Sequence, residues 1–164
     1  MFVSSLFTEE QIDRFMNEPE TLRAEEEYER ALSNYWFYEA EQLRQSQKFW
    51  NTLSGLKFEQ ELARLFKRDG FIVTMTKATD DKGIDLYLKK GGRTTIVQCK
   101  RHKVPAGPAI ARELYGTLVA CGAADAILAC PTGVTSGAKE FLKRKPIRVM
   151  DVNDIIALQK RVSA

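Results

Sequence analysis

The chain has 164 residues, 44% apolar and 29% charged, with no low-complexity run, a composition that suits one soluble domain with a real core and a modest appendage. No stretch approaches the roughly 20 apolar residues needed to span a bilayer, and residues 1–7 lack the basic start and the length of a signal peptide. The net charge of +3 is unevenly spread: residues 1–50 carry 5 Lys/Arg against 11 Asp/Glu, and residues 51–164 carry 20 against 11, so an acidic arm precedes a basic domain suited to a polyanionic partner.

Residues 1–52 read as a helical arm. Thr8-x-x-Gln11 has the form of a capping box, and Pro19 behind Asn17 suits the start of a second helix. Without internal Gly or Pro, that helix is expected to run from 19 to about 50. Tyr28, Leu32, Tyr35/Trp36, Leu43 and Trp50 keep helical spacing, and Trp36, Leu43 and Trp50 fall on a seven-residue repeat. Glu25-Glu26-Glu27 reads as a solvated face. The arm is either a dimerisation or docking helix, joining two copies or another protein module, or a segment packed on its own domain.

From Ser54 the texture changes, and residues 53–164 read as one α/β domain. Ser54 is placed to cap a helix ending at Gly70, a residue suited to the left-handed position after a helix. Strands are expected at 71–75, 84–88 and 94–100, the last two joined around Gly91-Gly92. Pro108 opens a helix that closes at Gly122, and the apolar run 126–130 fits a strand buried on both faces. Thr135 or Ser136 starts another helix, 147–150 is a short strand, and Asp151 or Asn153 caps a final helix. The order is αβββαβαβα, with a parallel crossover from 94–100 to 126–130.

A two-residue turn at Gly91-Gly92 pairs Lys90 with Arg93 and, counting back, Asp85 with Gln98. Side chains alternate along a strand, so Lys100 shares the face of Gln98 and Asp85, while Ile84, Leu86, Leu88, Val97 and Cys99 form the apolar face. A carboxylate, an amide and a lysine on one patch suit phosphodiester hydrolysis. Asp85 offers a hard oxygen to Mg²⁺ or Mn²⁺, the Cys99 main-chain carbonyl offers another, and Lys100 can orient water or stabilise developing charge. Gln98 contributes only a neutral oxygen, so such a site holds its metal loosely. Glu59 shares the stripe of Leu62, Ala63 and Phe66 on its helix and can reach the metal through water, or reach solvent at the rim. An ordinary polar strand surface is the alternative for the whole patch.

The three cysteines (Cys99, Cys121, Cys130) have no C-x-x-C spacing and read as buried free thiols in a reducing, cytoplasmic compartment. With His102 the single histidine, chemistry falls to carboxylates, amides and lysines. Lys77, Arg101, His102, Lys103 and Arg112 offer a phosphate track beside the patch, or a solvated basic rim. Lys143-Arg144-Lys145 ends a helix, where cations suit the dipole. Gly133-Val-Thr135-Ser136 opens a helix but lacks the P-loop lysine spacing.

Gly55-Leu-Lys-Phe58-Glu59, Thr79-Asp80-Asp81-Lys-Gly83-Ile-Asp85 and Gln98-Cys99-Lys100, in this order and spacing, resemble the Mrr-like restriction endonuclease family within the PD-(D/E)XK nuclease superfamily. The likeness covers about 53–160 and extends to Arg112-Glu113-Leu114-Tyr115-Gly116. Q-x-K is this branch's version of E-x-K. The resemblance implies a restriction-endonuclease-like αβββαβ core, Mg²⁺-dependent DNA cleavage in restriction or defence, and the catalytic set Asp85, Gln98, Lys100 with Glu59 assisting. Asp81 matches an acidic position beside the site, or caps the turn around Gly83. Holliday-junction resolvases and repair nucleases share the fold and the Asp/Lys site, and a DNA-binding module that no longer cuts is the third reading. Nothing comparable covers residues 1–50.

Overall fold

Thr8 starts the first helix as the capping box requires. Its N–H donates to Gln11 Oε1 at 2.8 Å, and its hydroxyl accepts from Gln11 N at 3.2 Å, satisfying two end groups reciprocally. Helix α1 covers Glu9–Met16 and α2 covers Pro19–Arg44. The computed structural model describes residues 8–16, 18–76 and 83–163. The chain divides into two compact units, one ending at Gln42 and the other running from Leu43.

Helix α2 stops at Arg44 rather than near residue 50. The Ser46 N–H and hydroxyl both donate to the Leu43 carbonyl, at 3.0 and 2.8 Å, and the same hydroxyl accepts from Phe49 N at 3.2 Å. Ser46 thus closes one helix and caps the next, α3 at Gln47–Thr52. The fully buried Trp50 donates its indole N–H to the Arg44 carbonyl at 2.7 Å, so an end carbonyl of α2 has a partner. Absence of Gly and Pro permits a long helix but cannot prevent a serine from ending it.

Ser54 caps α4 (Gly55–Arg68), and Gly70, at φ 85, turns the chain into β1 (Ile72–Met75). Strands β2 (Leu86–Lys90) and β3 (Arg93–Cys99) are joined by Gly91 and Gly92 at φ 56 and 76, the two positive angles that a tight hairpin of this hand demands. Helix α5 (Pro108–Cys121) ends at the left-handed Gly122 and leads to β4 (Asp125–Ala129). Thr135 caps α6 (Ser136–Leu142), and β5 (Ile147–Met150) follows. Asp151 Oδ1 accepts from Asn153 N and Asp154 N at 2.8 and 3.1 Å, opening α7 (Val152–Ser163). The sheet order is β1-β2-β3-β4-β5, antiparallel as far as β3 and parallel beyond it. This is the mixed sheet, in the element order, that the sequence predicts.

Each sheet face has its own core. Helices α3, α4 and α7 cover Leu86, Leu88, Val97, Cys99 and Ile127 with Trp50, Phe58, Phe66 and Ile155. Helices α5 and α6 cover Ile96, Ala126 and Leu128 with Leu114, Leu118 and Ala138. Each such Leu or Phe contributes about 1.5–3 kcal/mol through burial. Two sequence expectations are corrected. Ile84 belongs to the second core, not the face of Leu86 and Leu88, and Cys121 is exposed rather than buried.

Candidate active site

The β2–β3 ladder has the register expected, Lys90 opposite Arg93 through to Leu86 opposite Val97, but it ends one pair before Asp85 would meet Gln98. Asp85 instead donates its N–H to the Val97 carbonyl at 2.8 Å, so that Asp85 and Leu86 both address Val97, as in a β-bulge. The extra residue breaks strict alternation, which is why Ile84 turns to the α5 side. It also re-aims the carboxylate: Asp85 Oδ2 accepts from Cys99 N at 2.5 Å, where a continued β2 would have supplied a strand partner. The N–H and C=O of a paired residue face the same neighbouring strand, so the Cys99 carbonyl opens toward Asp85 too.

Thr76 fixes the main chain at this bend. Its N–H donates to the Asp85 carbonyl at 3.0 Å, and its hydroxyl donates to the Ile84 carbonyl at 2.5 Å and lies 3.2 Å from that of Asp85. Nothing in the sequence pattern singled Thr76 out, since a threonine at a strand end is common and the contact depends on where the chain returns.

Gln98 stands on β3 between β2 and β4, opposite Leu128, and is 1% exposed. Its Oε1 is buried and accepts no hydrogen bond among the described residues. A buried amide oxygen left unpaired costs about 1–3 kcal/mol, so such an atom calls for a ligand. Asp85 and Lys100 are half-buried, as is Glu59 on α4. All three charges act on the Cys99 thiol. Burial raises its pKa well above the ordinary value, the Asp85 and Glu59 carboxylates add to the rise, and Lys100 opposes it. Asp85, Glu59 and Lys100 are therefore near enough to Cys99 to act on its thiol, and Gln98 precedes it on β3.

The donor set fits a hard divalent cation. It offers the Asp85 carboxylate, the unpaired Gln98 oxygen and the Cys99 main-chain carbonyl, with Glu59 near enough to act electrostatically. Among the described residues no three His, Cys, Asp or Glu side chains gather as a metal cluster, and the further oxygens these residues offer beside Asp85 are neutral.

The basic residues are less concentrated. Lys77 and Asp81 lie outside the described residues. Arg101 donates to the Asn51 carbonyl at the end of α3, and its Nε is buried without a partner among the described residues, so it ties α3 to the end of β3 instead of lying free along a track. Lys103 is exposed, and Arg112 is exposed with its guanidinium carbon 5.5 Å from the Phe141 ring centre. Lys145 donates to the Phe141 carbonyl at 2.6 Å, in keeping with a cation at the end of α6.

The family model described as "Restriction endonuclease" (Mrr_cat) matches residues 50–159. Among solved structures, AF1548, a protein of unknown function, aligns at 18% identity and TM-score 0.51, over 59% of this chain and 62% of its own. The MspJI restriction endonuclease in complex with a 27-mer oligonucleotide aligns at 16% identity and TM-score 0.50, over 77% of this chain and 32% of its own. At such identities the likeness is one of fold, and the chain spans less than two thirds of either protein. No curated protein matches the chain. Among the described residues no helix is long and apolar enough to cross a membrane.

Proposed function

The chain belongs to the Mrr-type restriction endonuclease family, and from that premise we propose that it is a Mg²⁺-dependent endodeoxyribonuclease, for which Mn²⁺ substitutes, acting in restriction or defence. The observation that carries the reading is the Asp85 carboxylate accepting from Cys99 N at 2.5 Å, beside a buried Gln98 oxygen that takes no hydrogen bond among the described residues.

In this reading Asp85, Gln98 Oε1 and the Cys99 carbonyl hold the cation, and Glu59 reaches it through water. The cation, when bound, supplies a water of lowered pKa and a polarised phosphate. Lys100 orients the attacking water and stabilises negative charge as it grows on the phosphate. Thr76, by holding the Asp85 main chain, keeps the carboxylate on Cys99 N. The excess of 20 Lys/Arg over 11 Asp/Glu in residues 51–164 draws the phosphate backbone to this domain. Residues 53–164 are the nuclease domain of a cytoplasmic protein. The acidic arm, residues 1–52, pairs two copies of the chain.

The test is incubation with plasmid, linear, methylated and branched DNA in Mg²⁺, Mn²⁺ or EDTA. Cleavage in either metal and none in EDTA is expected. No cleavage of any substrate in either metal would overturn the reading in favour of a non-cleaving DNA-binding module.

A further inference from the structure

Gly83 lies two residues before Asp85 with φ +76, a backbone region that side chains rarely adopt. Four other glycines at positive φ, namely Gly91, Gly92, Gly122 and Gly133, would find nothing within 4 Å of an added Cβ. Gly83 differs. A Cβ there would stand 2.8 Å from Gln98 Nε2, 3.6 Å from Glu113 Oε1 and 3.9 Å from Gln98 Cδ. The place of a side chain is thus taken by the nitrogen end of the Gln98 amide, and the carbon behind it lies farther off.

Gln98 has little room to retreat. It is 1% exposed, and its main chain is paired with Leu128 of β4. An amide with its nitrogen against residue 83 has its oxygen at the other end, and that oxygen is the one without a hydrogen-bond donor. In this orientation the oxygen is the end of Gln98 that a ligand would meet.

We propose that Gly83 is a positioning residue: its missing side chain is the seat of Gln98 Nε2, and that seat presents Gln98 Oε1 to the divalent cation. The inference rests on the nuclease reading for the cation. Gly83 itself touches neither substrate nor metal in it, and acts through Gln98.

The experiment measures Mn²⁺ binding to the full chain by calorimetry without DNA, alongside thermal unfolding and plasmid cleavage. The variants are Gly83→Ala, Gly122→Ala, Gln98→Ala and the double Gly83→Ala/Gln98→Ala. Gly122→Ala carries the same kind of backbone strain (φ +66) into open space. Gly83→Ala is expected to weaken Mn²⁺ binding by about 10–100-fold, the usual cost of losing a group that orients a metal ligand, and Gly122→Ala to bind as wild type. The double variant should bind no worse than Gln98→Ala, since residue 83 then has no amide to displace. It should also recover the stability that Gly83→Ala loses beyond Gly122→Ala. Wild-type Mn²⁺ binding in Gly83→Ala overturns the proposal and leaves the nuclease reading standing. If Gly83→Ala does not fold, failure of the double variant to restore folding overturns it equally. A wild type that neither binds Mn²⁺ nor cuts DNA overturns the nuclease reading and this inference with it.

Discussion

Trp36 and Trp50 sit on one seven-residue repeat, yet Trp36 is 61% exposed and Trp50 is fully buried. Trp36 lies in the unit that ends at Gln42, and Trp50 in the unit that begins at Leu43. The first unit shows Tyr28, Tyr35, Phe37 and Tyr38 to solvent as well, on a helix dense in glutamate. The second packs both faces of a five-stranded sheet and holds the candidate site at the end of its central strand. Periodicity selects a helix in both places. Burial requires an apolar surface opposite, which Trp50 finds against Phe58 and Phe49, its ring centres 6.1 and 5.3 Å away.

The largest expected effect breaks or supports that contrast directly. Trp50→Ala should cost about 3–5 kcal/mol in urea unfolding, because the site cannot collapse around a lost indole. Trp36→Ala should change the stability of a dilute chain by less than about 0.5 kcal/mol. Its expected effect is on self-association, with a dimer in sedimentation that is weaker than wild type. Equal losses of stability at the two positions would show that Trp36 has a hidden partner.

Next in size is the lysine. Lys100→Ala should lower cleavage about 10²–10³-fold, the typical contribution of a donor aimed at developing charge, while circular dichroism and metal-free DNA binding stay as in wild type. Asp85→Ala should be inactive through loss of a metal ligand, with partial rescue by excess Mn²⁺. If Lys100→Ala cuts as fast as wild type, the assignment of the site fails even though the domain is a nuclease.

Where the sequence succeeded and failed follows from the range of the forces involved. Gly91-Gly92 admits few turns, so the β2–β3 register was legible from two residues, and with it the nearness of Asp85 to the 98–100 segment. The bulge at Asp85 was not. It depends on Thr76 returning from another strand, and it moved Ile84 to the second core. The deep burial of Gln98 was also hidden, because it follows from β4 lying against β3, a pairing made across a whole helix. The break after Arg44 was legible in principle, as Ser46 is a good cap, but nothing local says that a cap will outcompete helix continuation. Arg101 read as a surface cation, and only the return of α3 to the sheet gave it the Asn51 carbonyl.

A smaller effect separates the two regions by charge. Residues 1–42 carry 3 Lys/Arg against 11 Asp/Glu, and residues 43–164 carry 22 against 11. DNA affinity should fall linearly with salt on a logarithmic plot, and a chain starting at Leu43 should keep the slope while binding as tightly or tighter. Salt-independent binding, or binding lost with the arm, would place the DNA contact in the first region.

The smallest effect concerns the start of the second unit. Arg44, the last residue of α2, grips Glu61 of α4 with Nε and NH2 at 2.8 and 3.1 Å, and Arg64 holds the same carboxylate at 3.0 Å. Burial raises the Glu61 pKa, but the hydrogen bonds and charges of the two arginines outweigh it and leave the carboxyl below its usual value. A lowered pKa means that the stabilisation is present above the ordinary glutamate pKa of about 4.3 and is lost as pH falls through the folded value. The pair keeps some solvent contact, so its worth is no more than about 1 kcal/mol. Glu61→Gln should therefore be less stable than wild type at pH 7 by up to that amount, and the gap should close as the pH falls below the ordinary glutamate range and the wild-type carboxyl takes up its proton. The measurement is urea unfolding of both proteins across that range. A gap that stays constant with pH would mean that Glu61 contributes through shape and neutral hydrogen bonding, and that charge does not hold Arg44 to α4 within the second unit.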